Sequence, residues 1–128
     1  MCLGLLERSS EFWGWFLDEL GYEEFQKWSQ GISWRHEDTY IVFVQTEDKY
    51  LDTRYHRCRV RMNHLAFHAE SHQQVDDFTK KLRARGLKIL YEDKHPYAGG
   101  EHHYAVFFED PDRIKANWFL LNVKLTAF

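Results

Sequence analysis

The sequence predicts an α+β fold built from two tandem βαβββ modules, and two observations carry that expectation. The chain repeats itself at an offset of 62 residues, and after each of two amphipathic helices its hydrophobic period drops from about 3.6 to 2. The repeat sets Cys2-Leu3-Gly4-Leu5-Leu6-Glu7-Arg8-Ser9 above His64-Leu65-Ala66-Phe67-His68-Ala69-Glu70-Ser71. Leu3 falls on Leu65, Gly4 on Ala66, Leu5 on Phe67 and Ser9 on Ser71; the same offset carries Phe16 onto Phe78 and Leu20 onto Leu82. Two such units can pair into one curved, cleft-bearing mixed sheet with helices on its outer face. The competing architecture is a ferredoxin-like α+β domain without a functional cleft. The expected modules are about 1–58 and 59–128 of a single domain.

Each module opens with a short apolar strand, then a serine and a helix. In the first helix Phe12, Trp15, Phe16 and Leu20 recur on one face. Val75, Phe78 and Leu82 do so in the second, where Ser71 and Gln74 have the spacing of a capping box. Gly21 and Gly86 are the helix stops, because glycine accepts the left-handed geometry after a last turn. Strands follow near Glu23–Ser29, Gly31–His36 and Tyr40–Gln45, then near Lys88–Glu92, His103–Glu109 and Ile114–Leu121. Asp110-Pro111-Asp112 is a turn, and His95-Pro96-Tyr97-Ala98-Gly99-Gly100 a mobile-loop candidate.

With 44% hydrophobic and 29% charged residues in 128, the chain is ordinary globular material, able to bury a core without staples. A net charge of -3 gives no electrostatic reason to expect nucleic acid, and the basic segment from Arg54 to Arg61 is diluted by acidic neighbours. Two cysteines, Cys2 and Cys58, make neither a disulfide scaffold nor a zinc knuckle. Met1 to Leu6 is too short for the apolar part of a signal peptide, and no run approaches the roughly 18 apolar residues of a spanning helix. The expectation is a reduced, cytoplasmic protein with neither membrane nor nucleic acid among its partners.

The motifs of the second half resemble the vicinal oxygen chelate superfamily of glyoxalases, bleomycin-resistance proteins and ring-cleaving dioxygenases. His64-Leu65-Ala66-Phe67 looks like that family's opening strand, whose histidine is a metal ligand. Phe107-Phe108-Glu109-Asp110-Pro111-Asp112-Arg113-Ile114-Lys115 looks like its aromatic strand, Asp-Pro-Asp-Gly turn and final strand, with Arg113 at the glycine position. Trp15-Phe16 and Leu20-Gly21-Tyr22 are similar to the first module's aromatic pair and helix end. The resemblance spans nearly the whole chain and implies a divalent metal (zinc, nickel, manganese or iron), a small-molecule ligand and a two-fold dimer. Carried over position by position, it puts ligands at His64, at Asn117 in place of the family's glutamate, and at Phe43 or Gln45 in the first module's closing strand. The first module's histidine falls at Cys2, or at Met1 if the register slips. An amide is a poor substitute for a carboxylate on a divalent ion, so no ordinary site of Cys2, His64 and Asn117 is expected. If metal binds, His64 is a ligand, and His68 or His103 contributes.

Other candidates come from residue type and strand parity. His64 and His68 share a strand face with Ala66 and form a candidate acid–base pair; on a solvated face they would be plain polar residues. Either His102 or His103 must face the cleft. Arg35 could hold a carboxylate or phosphate through its planar fork, or pair with Glu37 or Asp38 at the surface. Trp28, Trp34, Phe43 and Phe107 line a cleft or pack a core. Glu109 is a carboxylate candidate, whereas Asp110 serves the turn. Cys58 with His56 carries only a weak nucleophile signal. Three readings follow: a metal-dependent lyase, isomerase or dioxygenase-like enzyme, a metal-free protein that sequesters a small molecule, or an interaction domain whose cleft is vestigial. The enzyme is favoured because His64 has a ready role there.

Overall fold

The computed structural model describes residues 2–3, 6–52 and 62–121, with backbone alone for Cys2, Leu3 and Leu121. Cys58, His56 and the segment from Arg54 to Arg61 lie outside the described residues, as do Met1 and the side chain of Cys2. The elements run β1 (Cys2–Leu3), α1 (Leu6–Glu19), β2 (Glu23–Trp28), β3 (Gly31–His36), β4 (Thr39–Gln45), then β5 (His64–His68), α2 (His72–Ala84), β6 (Ile89–Leu90), β7 (His103–Glu109) and β8 (Lys115–Leu121). They form an α+β fold with two four-stranded sheets, in the orders β1-β4-β3-β2 and β5-β8-β7-β6. In each sheet the opening strand lies parallel to the closing one, and the other pairings are antiparallel. The described residues pack as two compact units. One holds α1, the first sheet and Asp110–Asp112; the other holds α2 and the second sheet.

In the first unit, α1 buries Ser9, Phe12, Trp13, Phe16 and Leu17. That face is rotated from the expected one: Trp15 and Leu20 are only half-buried, while Trp13 and Leu17 are wholly buried. Trp13 wins a buried position because its indole N–H also finds an acceptor, Asp110 Oδ2 at 2.9 Å, while its ring lies 5.4 Å from Phe43. Gly21 takes φ 90° after α1, and the Tyr22 amide N–H reaches back to the Leu17 carbonyl at 2.9 Å. Strand β2 is exposed along its whole length, as an edge strand can be.

In the second unit, α2 buries Val75, Phe78, Thr79 and Leu82 against β7 and β8, where Phe78 meets Phe108 and Trp118 edge-on. Ser71 caps the helix by accepting the Gln74 amide N–H at 3.1 Å. The Gln74 side chain answers by accepting the amide N–H of Glu70 at 2.8 Å, one residue outside the expected box. Gly86, at φ 69°, ends it. The segment after β6 is a run of hydrogen-bonded turns: Tyr97 N–H donates to Lys94, Gly100 to Tyr97 and His103 to Gly100. Among the described residues, no helix is long and apolar enough to cross a membrane.

Candidate functional site

Register decides which side chains meet on the second sheet. His64 pairs with Lys115, Ala66 with Asn117 and His68 with Phe119; on the other flank of β8, Glu109 pairs with Lys115, Phe107 with Asn117 and Ala105 with Phe119. Paired residues share a face, so all of these lie on the side away from α2, with His103 in the same parity. Leu65 and Phe67 turn the other way and are half-buried, while His64, Ala66 and His68 are exposed. The expected parity of the opening strand is therefore the one observed.

This face has an apolar floor and isolated polar atoms. Leu90, Ala105 and Phe107 form a buried cluster, with Ala98 and Phe119 packed on it. Phe119 stands between two imidazoles, 4.4 Å from the His68 ring and stacked at 4.8 Å on the His103 ring. Asn117 is 2% exposed, and its Oδ1 has no hydrogen-bond partner among the described residues; His103 Nδ1 is likewise buried and without a partner among them. Burial holds the His103 pKa below the ordinary imidazole value, which keeps the ring neutral. Gly99 lets the backbone approach that nitrogen: a Cβ there would clash with the ring. At the other end of the face, the Lys115 ammonium donates to the Tyr91 hydroxyl at 3.0 Å and lies 5.0 and 5.4 Å from the rings of Tyr91 and Phe107.

Of the two adjacent histidines, His103 faces this site. His102 is exposed beside Glu101. Tyr104 points to the α2 side, where His72 stacks on it at 4.0 Å and Asp76 accepts its hydroxyl at 2.5 Å. That hydrogen bond to a carboxylate, aided by burial, raises the Tyr104 pKa to about 12. Lys115, Tyr91 and Phe119 were not foreseen as site residues. The parity of Asn117 marks Lys115 and Phe119 in retrospect; Tyr91 had no sequence signal.

The first sheet distributes its candidates differently. Phe43 is fully buried between Trp13 and Trp34, beneath α1, so it belongs to the helix-side core and not to a cleft lining. Trp34 shares that side at 6% exposure and touches a cavity of about 720 Å³ that also borders Leu6, Trp28 and Gln45. Arg35 has the opposite parity; its Nε donates to the Glu37 carbonyl at 3.0 Å and its guanidinium lies over Phe25. Gln45 is committed to local structure, since Oε1 accepts the Leu6 amide N–H at 2.9 Å and Nε2 donates to the Thr46 carbonyl at 3.2 Å.

Among the described residues these donors are not gathered at one point. Gln45 spends its amide oxygen on the start of α1. His68 and His103 are held on opposite flanks of Phe119. What remains on the second sheet is His64 and the neutral oxygen of Asn117, and among the described residues no three His, Cys, Asp or Glu side chains gather.

Residues 7–117 match the Glyoxalase/Bleomycin resistance protein/Dioxygenase superfamily. The chain belongs to that superfamily. It is 64% identical over 110 residues to the uncharacterized Bacillus subtilis protein YqjT, covering 86% of each chain. It superposes with a TM-score of 0.92 on the crystal structure of a glyoxalase candidate from Bacillus halodurans, at 55% identity over 93% of this chain and 90% of that one. The fosfomycin resistance protein FosX of Listeria monocytogenes, in complex with Mn(II) and 1S,2S-dihydroxypropylphosphonic acid, shares the fold at a TM-score of 0.66 and 17% identity, over 93% and 85% of the two chains.

Proposed function

We propose that the chain binds a small oxygenated molecule on the face of the second sheet that carries Phe107, Asn117, Phe119 and His103. The observation that carries this reading is the buried Oδ1 of Asn117, left without a donor on an aromatic-lined face. An unpaired buried amide oxygen costs about 1–3 kcal/mol, and a ligand hydroxyl would remove that cost. Superfamily membership supports the ligand class, as does the diol-bearing phosphonate of the FosX complex. The reading takes the two units as tandem βαβββ modules of one domain, and their identical strand order supports that. A cytoplasmic homodimer is the setting that goes with it.

The test is a titration of ¹⁵N-labelled protein with 1-phenyl-1,2-ethanediol, a neutral aromatic diol. The Asn117 side-chain amide and the backbone of Ala105 and Phe119 should shift, and Asn117→Ala should abolish the response. Shifts confined to other elements, or persisting in that variant, defeat the proposal.

One observation favours the metal-dependent enzyme as a second reading. The Nδ1 of His64 faces Asn63 Oδ1 at 2.8 Å, a contact that suits the tautomer with Nδ1 as donor, in which Nε2 carries the lone pair that a ligand or base requires. Elemental analysis after exposure to zinc, nickel, manganese or iron tests it. Stoichiometric metal lost in His64→Ala supports this reading, and its absence rejects it.

A further inference from the structure

We infer that the ligand of this face is an anion carrying an adjacent hydroxyl, with Lys115 as its counter-charge and Asn117 as the acceptor of its hydroxyl; the inference rests on the binding reading above. Lys115 and Asn117 are two residues apart on β8 and therefore on one face, about 6–7 Å apart at Cα. Phe107 is their common neighbour, paired with Asn117 in register and 5.4 Å from the Lys115 ammonium. That ammonium is held by a phenol oxygen and two ring faces, with no carboxylate among the described residues in ion-pair contact.

The carboxylate facing Lys115 across the sheet, Glu109, is 3.8 Å from the Arg113 guanidinium. Ring faces hold an ammonium in place without neutralising it, and a partly desolvated ammonium binds an oxyanion more strongly than one in open water. Asn117 Oδ1 cannot take the anion itself, since an amide oxygen only accepts. It needs a hydroxyl or amine proton one short step from the charged group. A 2-hydroxy carboxylate or 2-hydroxy phosphonate has that arrangement, and a phenyl or alkyl body would lie over Phe107 and Phe119.

Calorimetry with 3-phenyllactate, its methyl ester and 3-phenylpropionate separates the parts. The acid should bind at least about tenfold more tightly than the ester, and more tightly than the acid lacking the hydroxyl. Lys115→Met, which keeps the apolar stem, should erase the preference for acid over ester. Lys115→Arg should retain most of it. Thermal melting of both variants checks that the fold is intact, and if Lys115→Met fails to fold, Lys115→Arg and the salt dependence of the acid's affinity decide. Equal affinity of acid and ester overturns this inference while the neutral diol still reports on the binding reading. Silence from every probe, the diol included, overturns both.

Discussion

The two helices begin in different ways although the repeat sets Ser9 on Ser71. Ser71 sits outside α2 and caps it. Ser9 sits inside α1, fully buried, and donates its hydroxyl to Asp112 Oδ2 at 3.0 Å, beside the Arg8–Asp112 ion pair. Helix α1 starts earlier in the repeat than α2 because Gln45, on the last strand of its own sheet, satisfies the Leu6 amide N–H. The two sheets share one strand order, while the partners of residues that the sequence repeat sets together differ. The sheet faces turned away from the helices differ as well. The first carries Ser33, Arg35 and Val42; the second carries histidines, the Asn117 amide whose Oδ1 has no partner among the described residues, and the Lys115 ammonium beside two aromatic rings.

The largest test of that contrast is Trp13→Ala. It empties a fully buried ring site and strips Asp110 of its indole partner, so about 3–5 kcal/mol should be lost in chemical denaturation. A loss below about 1 kcal/mol would mean that α1 is not anchored through this ring. Next come the two serines. Ser9→Ala removes a buried hydrogen bond to a carboxylate and should cost about 2 kcal/mol, whereas Ser71→Ala removes an exposed cap worth about 1 kcal/mol. Equal costs would erase the distinction drawn between them.

Smaller again is the alanine penalty at the helix stops. Gly21→Ala and Gly86→Ala each force a left-handed alanine, at about 1 kcal/mol. Unfolding curves for the pair should match closely, because neither site has a neighbour nearer than van der Waals contact.

The smallest effect is that of pH. The His103 pKa is lowered in the folded state, so the unfolded chain binds the proton more readily. Stability from this group is present above the unfolded value near 6.5 and is lost as pH falls below it toward the folded pKa. His95 is lowered too, by burial first and then by Arg83, and contributes in the same direction. Melting temperatures between pH 7 and 5 should therefore fall less in His103→Phe than in the native chain; parallel curves would show that His103 carries none of the loss.

Much of the fold was legible because backbone patterns are local. Period-2 runs located β3 and β7 to the residue, proline and aspartate marked the turn at Asp110–Asp112, and Gly21 and Gly86 marked the helix ends. Asp110 plays the expected turn role by accepting the Asp112 amide N–H at 2.9 Å, and Arg113 takes φ 67° where the family's motif has glycine. Parity alone put His64 and His68 on one face.

The sequence by itself determined the α+β class, the superfamily and the side of β5 that each residue presents. Those properties depend on residue spacing, and spacing is a property of the chain. Tertiary structure alone decided what each functional group touches. It gave Phe43 to the core beneath α1, spent the Gln45 oxygen on a helix start, and put Phe119 between His68 and His103. It also left Asn117 Oδ1 without a donor and seated Lys115 on two rings. Each of these outcomes depends on which strand lies beside which and in what register, a choice made by packing over long sequence separations that no local period encodes.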